Sequence, residues 1–315
     1  MVDAFGREIT YLRISVTDRC NYRCRYCMEE GGVVPYTHAD ILSFEEIAEI
    51  AESAAALGIR KIRLTGGEPL VRRGVVDLCK MLRSIPDLSE LTMTTNGSLL
   101  APLAKPLREA GVDRLNISLD TLDPEKFHSM TRGGSLSDVL NGLDAAEAAG
   151  FLGTKLNVVL IGGFNDEEIP TFAALTKERV ICVRFIELMP IGCAAGWNSK
   201  TFLSSEAVKR ALPELEFLER DGVSERYRLP GSLGTIGLIS PIHAKFCSRC
   251  DRIRLTSDGQ LKPCLHSAME YPLRGLHGDA LTEALQQAIW AKPKEHHMDT
   301  THSSDTMRRM FEIGG

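Results

Sequence analysis

The sequence predicts an α/β protein in which six parallel strands, with helices outside them, curve into a partial barrel with a polar interior. Three observations predict this. Strand-like and helix-like segments alternate six times between residues 11 and 190, and repeated strand–helix units build parallel sheets, a short barrel and an open doubly wound sheet both fitting the pattern. The strands carry polar residues at alternate positions, whereas a parallel sheet covered on both faces reads as almost uniformly apolar. The 315 residues are 43% apolar and 25% charged, the balance of a globular enzyme.

The elements follow in order. Tyr11 to Thr17 is the first strand. Ser43 to Leu57 has apolar residues at helical spacing, and Ser43 with Glu46 predicts a capping box. Lys61 to Thr65 is strand, Val75 to Leu82 helix, Leu91 to Thr95 strand, and then a helical stretch is interrupted by Pro102 and Pro106. Arg114 to Asp120 is strand, Ser137 to Ala149 helix, Lys155 to Ile161 strand, Asp166 to Leu175 helix and Val180 to Met189 the sixth strand. Side chains alternate between the two faces of a strand. Arg13, Ser15 and Thr17 share one face, as do Lys61, Arg63 and Thr65, then Thr94 and Asn96, then Asn116, Ser118 and Asp120, then Lys155 and Asn157. One face packs on helices; the other lines something polar, since a filled barrel would carry branched apolar residues there. After Met189 the alternation stops. Residues 191–315 hold helices at Ser204 to Leu212 and Leu281 to Ala291, short β-like pieces, and a polar, His-rich tail ending in Gly314-Gly315. We therefore divide the chain at residue 190, into 1–190 and 191–315.

The formal net charge of −5 argues against a nucleic-acid binder, which should be basic, yet leaves room for a local basic pocket. No run of 18 apolar residues predicts a membrane span, and the start lacks an apolar signal core, so the expected location is the cytoplasm. Nine cysteines, an odd count, do not read as a disulfide framework. Cys79, Cys182 and Cys193 are scattered through apolar stretches and read as packing residues.

Cys20, Cys24 and Cys27 lie within eight residues, just after the first strand. Thiolates select zinc, copper(I) or iron–sulfur clusters. A structural zinc needs a fourth ligand, for which His38 is the nearest candidate; a four-iron cluster on three cysteines keeps one iron open. Cys247, Cys250 and Cys264 form a second set of three, for which His266 or His243 would complete a zinc site. Arg252 and Arg254, at one strand parity, can aim two guanidinium forks into one pocket, an arrangement suited to phosphate. Thr65-Gly66-Gly67-Glu68-Pro69 places a glycine turn at the end of the second strand, where the backbone can approach a ligand.

The Cys-x3-Cys-x2-Cys run, with Tyr26 before its last cysteine, and the Gly-Gly-Glu-Pro turn resemble the radical S-adenosylmethionine enzymes. The Cys-x2-Cys-x13-Cys group with Arg-x-Arg, the opening Phe5-Gly6-Arg7, the run Leu12 to Cys20 and the terminal Gly-Gly resemble the GTP 3′,8-cyclase family of molybdenum cofactor biosynthesis. The resemblance implies an incomplete (β/α)6 TIM-type barrel whose open side is closed by a C-terminal α+β extension. It implies a [4Fe-4S] cluster on Cys20, Cys24 and Cys27, and a second on Cys247, Cys250 and Cys264. It places S-adenosyl-L-methionine against Tyr26, Gly67, Ser118 and Met189. It places GTP against Arg13, Arg63, Thr94, Lys155, Arg252, Ile253 and Arg254, with Arg184 a further candidate. It implies an electron donor, transfer of the product to the cyclic pyranopterin monophosphate synthase, and a monomer or homodimer that binds neither nucleic acid nor membrane. The same resemblance gives Gly314 and Gly315 a role in catalysis, in place of the disordered end that a final Gly-Gly otherwise suggests. No motif places residues 191–244.

Overall fold

The computed structural model describes residues 1–32, 34, 36–299 and 303–314. Gly315 lies outside the described residues.

The first half alternates as predicted: β1 (Tyr11–Ser15), α1 (Phe44–Ala56), β2 (Lys61–Thr65), α2 (Val75–Arg83), β3 (Glu90–Thr95), α3 (Ala104–Glu109), β4 (Arg114–Ser118), α4 (Pro124–Thr131), α5 (Leu136–Ala148), β5 (Lys155–Leu160), α6 (Ile169–Glu178) and β6 (Cys182–Glu187). α1 begins where Ser43 and Glu46 close the capping box, the Ser43 oxygen accepting from Glu46 N and the Glu46 carboxylate from Ser43 N. α4 was not predicted. Its signal is local and readable: the Asp123 carboxylate accepts from Glu125 N and Lys126 N, and Pro124 opens the helix. β1 ends two residues early, because the Thr17 hydroxyl accepts from Arg19 N and turns the chain.

The second half adds α7 (Glu206–Ala211), β7 (Glu216–Asp221), β8 (Ser224–Arg228), β9 (Thr235–Ile239), β10 (Arg252–Leu255), β11 (Gln260–Lys262), β12 (Tyr271–Pro272), α8 (Gly278–Trp290) and α9 (Met310–Ile313). The strands form one mixed sheet in the order β12-β11-β10-β1-β2-β3-β4-β5-β6-β9-β8-β7. β1 to β6 run parallel in chain order; β10 extends them beyond β1 and β9 beyond β6, both parallel, while the outer pairs β10–β11, β11–β12, β9–β8 and β8–β7 are antiparallel. The C-terminal segment thus continues the sheet at both edges.

The core lies on the face predicted from strand parity. Ile14, Ile62, Leu64, Leu115 and Ile117 are fully buried among Ile47, Ala51, Leu78 and Leu107 of the surrounding helices. Alternation thereby commits every residue of the other parity to the opposite face. Among the described residues, no helix is long and apolar enough to cross a membrane.

Candidate active site

A cavity of about 390 Å³ lies against the polar faces of β1 to β6 and β10. Sheet register sets out its wall. Arg252 pairs with Tyr11, and Tyr11 with Lys61; two residues on, Arg254 pairs with Arg13 and Arg13 with Arg63. Cys20 follows the C-terminal end of β1, whereas Cys250 precedes β10 at the N-terminal end of the same parallel pair. The two cysteine groups therefore sit at opposite ends of an arginine-lined wall. The length of β1 between them is roughly 13 Å, at about 3.3 Å per residue. All six cysteines line the cavity.

At the first end, the glycine turn is built for contact with its neighbour loop. A Cβ on Gly67 would stand 2.4 Å from Arg19 O, and one on Gly66 2.6 Å from Thr17 O. Only glycines let the loop after β2 lie on the loop that leads to Cys20, where Gly67 N donates to Thr17 O (2.8 Å) and Glu68 N to Arg19 O (2.8 Å). The Glu68 carboxylate is buried and accepts from Leu70 N (3.0 Å), Thr95 Oγ1 (2.7 Å) and Asn96 N (2.6 Å). Burial still pushes its pKa up to about 7. Asn96 Nδ2 reaches Asn21 Oδ1 (2.9 Å) and the Cys20 sulfur (3.9 Å). Burial raises the Cys20 thiol to about 11 and the Cys27 thiol to about 12, Cys27 also feeling the charge of Cys20. Tyr26 donates to Asp120 Oδ2 (2.8 Å), and burial raises Asp120 to about 6. The three thiols share one wall without converging on a point: among the described residues, no three His, Cys, Asp or Glu side chains are placed to hold a single metal ion.

At the second end, Cys247 and Cys250 flank a short turn and Cys264 follows β11. Burial raises Cys247, whereas Lys292 and Arg252 outweigh burial at Cys250 and lower it. Between the ends, Arg13, Arg184 and Arg254 are buried, with Arg63 half-buried beside them. Desolvation first, and then the charge of neighbouring arginines, Arg252 in every case, lower the proton affinity of all four. Arg184 donates to Asn157 Oδ1 (2.9 and 2.5 Å). With its amide oxygen turned toward them, Asn116 accepts from Arg184 (2.8 Å) and Arg63 (2.5 Å). Lys155 is held by Asp221 (2.7 Å). Nine Lys and Arg side chains line the cavity against six Asp and Glu, a cationic excess that favours an anion.

The structure brings nearly all predicted residues to this one cavity. Tyr26, Gly67, Ser118 and Met189 line it, as do Arg13, Arg63, Thr94, Lys155, Arg252 and Arg254, with Arg184. Ile253 does not join them: its side chain is 0% exposed in the core, leaving only its main chain for a ligand. The zinc candidates separate. His266 lines the cavity and stacks on His296 with ring centroids 4.5 Å apart, while His243 pairs with Glu187 (3.1 Å).

Sequence reasoning missed Tyr11, whose ring lies between Arg63 (5.4 Å) and Arg252 (5.3 Å) and whose hydroxyl is buried without a partner. Burial raises its pKa, but the four surrounding guanidiniums outweigh burial and the net direction is down. Its parity with Arg13 was the available signal. Glu68, Asp120 and Asn157 were likewise visible only as members of a motif or a face.

The tail is described at residues 303–314. Arg308 forks onto Asp258 (3.0 and 2.8 Å) and Glu270 (2.7 and 2.8 Å). Phe311 and Ile313 are buried, and Met310 and Phe311 line the cavity. Gly314 adopts φ +72°, and its carbonyl accepts from Arg254 Nη1 (2.5 Å).

Comparison with known proteins agrees with this geometry. The model of the radical SAM superfamily matches residues 14–176, and that of Molybdenum Cofactor Synthesis C residues 181–298. Among curated relatives, GTP 3′,8-cyclase of Peptoclostridium acidaminophilum is 50% identical, covering 100% of this chain and 98% of its own length. That of Alkaliphilus metalliredigens is 48% identical, covering 100% of both. Among solved structures, Streptococcus suis SuiB bound to S-adenosylmethionine matches with a TM-score of 0.66 and 13% identity, covering 89% of this chain and 68% of that one. Methylornithine synthase (PylB) matches with a TM-score of 0.52 and 20% identity, over 66% and 63% of the two chains. These two likenesses are of fold.

Proposed function

Because this chain belongs to the GTP 3′,8-cyclase family of the radical SAM superfamily, we propose that this cavity binds S-adenosylmethionine at the first cysteine end and GTP along the arginine wall, and joins ribose C3′ to guanine C8. The observation that carries this is the placement of two thiol triplets at opposite ends of one strand-long cationic cavity. A substrate with a base at one end and a triphosphate beside it fits that length.

The donor sets suit iron–sulfur clusters better than zinc. Cysteine thiolates are the donors of such clusters, and membership of the radical SAM superfamily favours them over zinc. We assign [4Fe-4S] clusters to Cys20, Cys24 and Cys27 and to Cys247, Cys250 and Cys264. When bound, the reduced first cluster and S-adenosylmethionine supply the radical that takes a hydrogen atom from the substrate. The rest falls to the chain. Gly67 spends its N–H on Thr17, which leaves its carbonyl as the group to meet the cofactor's amine. Tyr26, Ser118 and Met189 complete that side. Arg13, Arg63, Lys155, Arg252 and Arg254 neutralise the triphosphate and fix its register, with Arg184; Thr94 and the Ile253 main chain add polar contact. Charge-assisted forks of this kind orient as well as attract. The buried Phe311 excludes water beside Cys27, and Gly314 completes the enclosure. We read the curved run of parallel strands as an incomplete (β/α)6 barrel, with residues 191–315 as its extension. The reaction calls for an external electron donor and hands its product to a further synthase.

Anaerobic turnover of the reconstituted protein with GTP and S-adenosylmethionine tests this. We expect 5′-deoxyadenosine and 3′,8-cyclo-7,8-dihydro-GTP in matched amounts, identified by mass and NMR. Cleavage of S-adenosylmethionine with no cyclised nucleotide would overturn the substrate assignment.

A further inference from the structure

We propose that Arg7, held by Asp3, is a positioning residue that clamps the second cysteine group into its cluster-binding shape. The inference rests on the two-cluster reading above.

The N-terminal turn exists to aim this side chain. Asp3 Oδ1 accepts from Phe5 N (2.9 Å) and Arg7 N (3.0 Å), and Gly6 closes the turn at φ +79°. Asp3 Oδ2 then takes Arg7 Nε at 2.6 Å, with the Asp3 side chain 0% and that of Arg7 6% exposed. The rest of the guanidinium faces main-chain carbonyls far away in sequence. Nη1 donates to Cys247 O (2.8 Å) and Lys294 O (3.0 Å), and Nη2 to Pro293 O (2.7 Å). One planar fork thus ties the turn before β1 to a cysteine of the second group and to the segment after α8.

That segment carries the hold to the other cysteines. Lys292 Nζ donates to Arg252 O (2.7 Å), two residues beyond Cys250, and to Pro263 O (2.8 Å), the neighbour of Cys264. The His296 backbone hydrogen-bonds the Cys247 thiol. On the other side of Cys250, Asp251 O accepts from Thr10 N and Tyr11 N, both at 3.2 Å. The Cys247 backbone is therefore braced directly, and those of Cys250 and Cys264 through the carbonyls of their neighbours Asp251, Arg252 and Pro263. Cys247 lies in a turn of only three residues, which has little hold of its own. Three thiols spread over 18 residues need an outside frame to keep cluster spacing before iron arrives. Arginine suits the task because its donors lie in one rigid plane; lysine has a single rotating point charge.

The test uses the whole chain, reconstituted anaerobically. Wild type should hold about eight irons per chain, in two [4Fe-4S] clusters. Arg7→Ala should hold about half as much, lose the electron paramagnetic resonance signal of the second cluster, and keep that of the first along with S-adenosylmethionine cleavage. Arg7→Lys keeps the charge and the pairing with Asp3 and should melt close to wild type. It should nevertheless lose second-cluster iron to a ferrous chelator at least about tenfold faster, since most of the fork is gone. Full iron with both signals in Arg7→Ala, or wild-type chelation kinetics in Arg7→Lys, would overturn the clamp. If the wild type itself takes up only about four irons, the two-cluster reading falls first, before any variant is compared.

Discussion

Gly314→Ala offers the sharpest test of the buried tail. A Cβ at this position would stand 2.0 Å from Thr65 Oγ1 and 3.1 Å from Thr65 Cβ. Thr65 has little room to yield: it is buried in β2, and its hydroxyl donates to Ile14 O at 3.1 Å. The backbone adds a second penalty, because φ is +72° and a left-handed conformation costs an L-residue about 1–2 kcal/mol. Overpacking against a fixed wall adds about 1–3 kcal/mol. Together, about 2–5 kcal/mol opposes the seated end, a shift of roughly 30-fold to several thousand-fold at about 1.4 kcal/mol per decade. Phe311 and Ile313 anchor the preceding turn with about 1.5–3 kcal/mol of burial each, so the end lifts while the turn stays. We expect unchanged iron content and melting temperature, GTP affinity retained, and anaerobic product formation reduced at least about tenfold. Thr65→Ala in the same chain removes the closest clashing atom and should restore part of the loss. Wild-type turnover in Gly314→Ala, or no recovery in the double variant, would refute the steric reasoning.

Further expectations follow from the same geometry. Cys20→Ser, Cys24→Ser or Cys27→Ser should abolish 5′-deoxyadenosine formation, measured by chromatography, while the second cluster's signal persists. Arg252→Ala and Arg254→Ala should each weaken GTP binding by about 1.5–3 kcal/mol, read by equilibrium dialysis with both clusters intact; unchanged affinity would mean that neither fork meets phosphate. Arg308→Gln should free the tail from Asp258 and Glu270, seen as faster hydrogen exchange at the Phe311 and Ile313 amides. Acid should do the same. Arg308 holds both carboxylates below their ordinary values against the opposing effect of burial, so their contribution is full above the unfolded pKa values, near 4, and is lost as pH falls through the lower folded ones. Exchange at those amides should therefore be flat from pH 7 to 5, once corrected for intrinsic rates, and rise below about pH 4.

Strand parity was legible because it is a local, periodic property. Arg13, Arg63, Thr94, Ser118 and Lys155 shared a face in the sequence, and they share the cavity wall in the fold. The capping box at Ser43 and the two cysteine spacings were equally local, and the motifs carried the family. What a chain of neighbours cannot show is which distant segments meet. The place of β10 beside β1 rests on pairing across some 240 residues, and that pairing alone puts the second cysteines at the far end of the arginine wall. The reach of Arg7 to Cys247 and the seat of Gly314 against Thr65 are of the same kind. Each is decided by burial and hydrogen-bond satisfaction in the assembled core, where a guanidinium or a carbonyl takes the partner that packing leaves within reach.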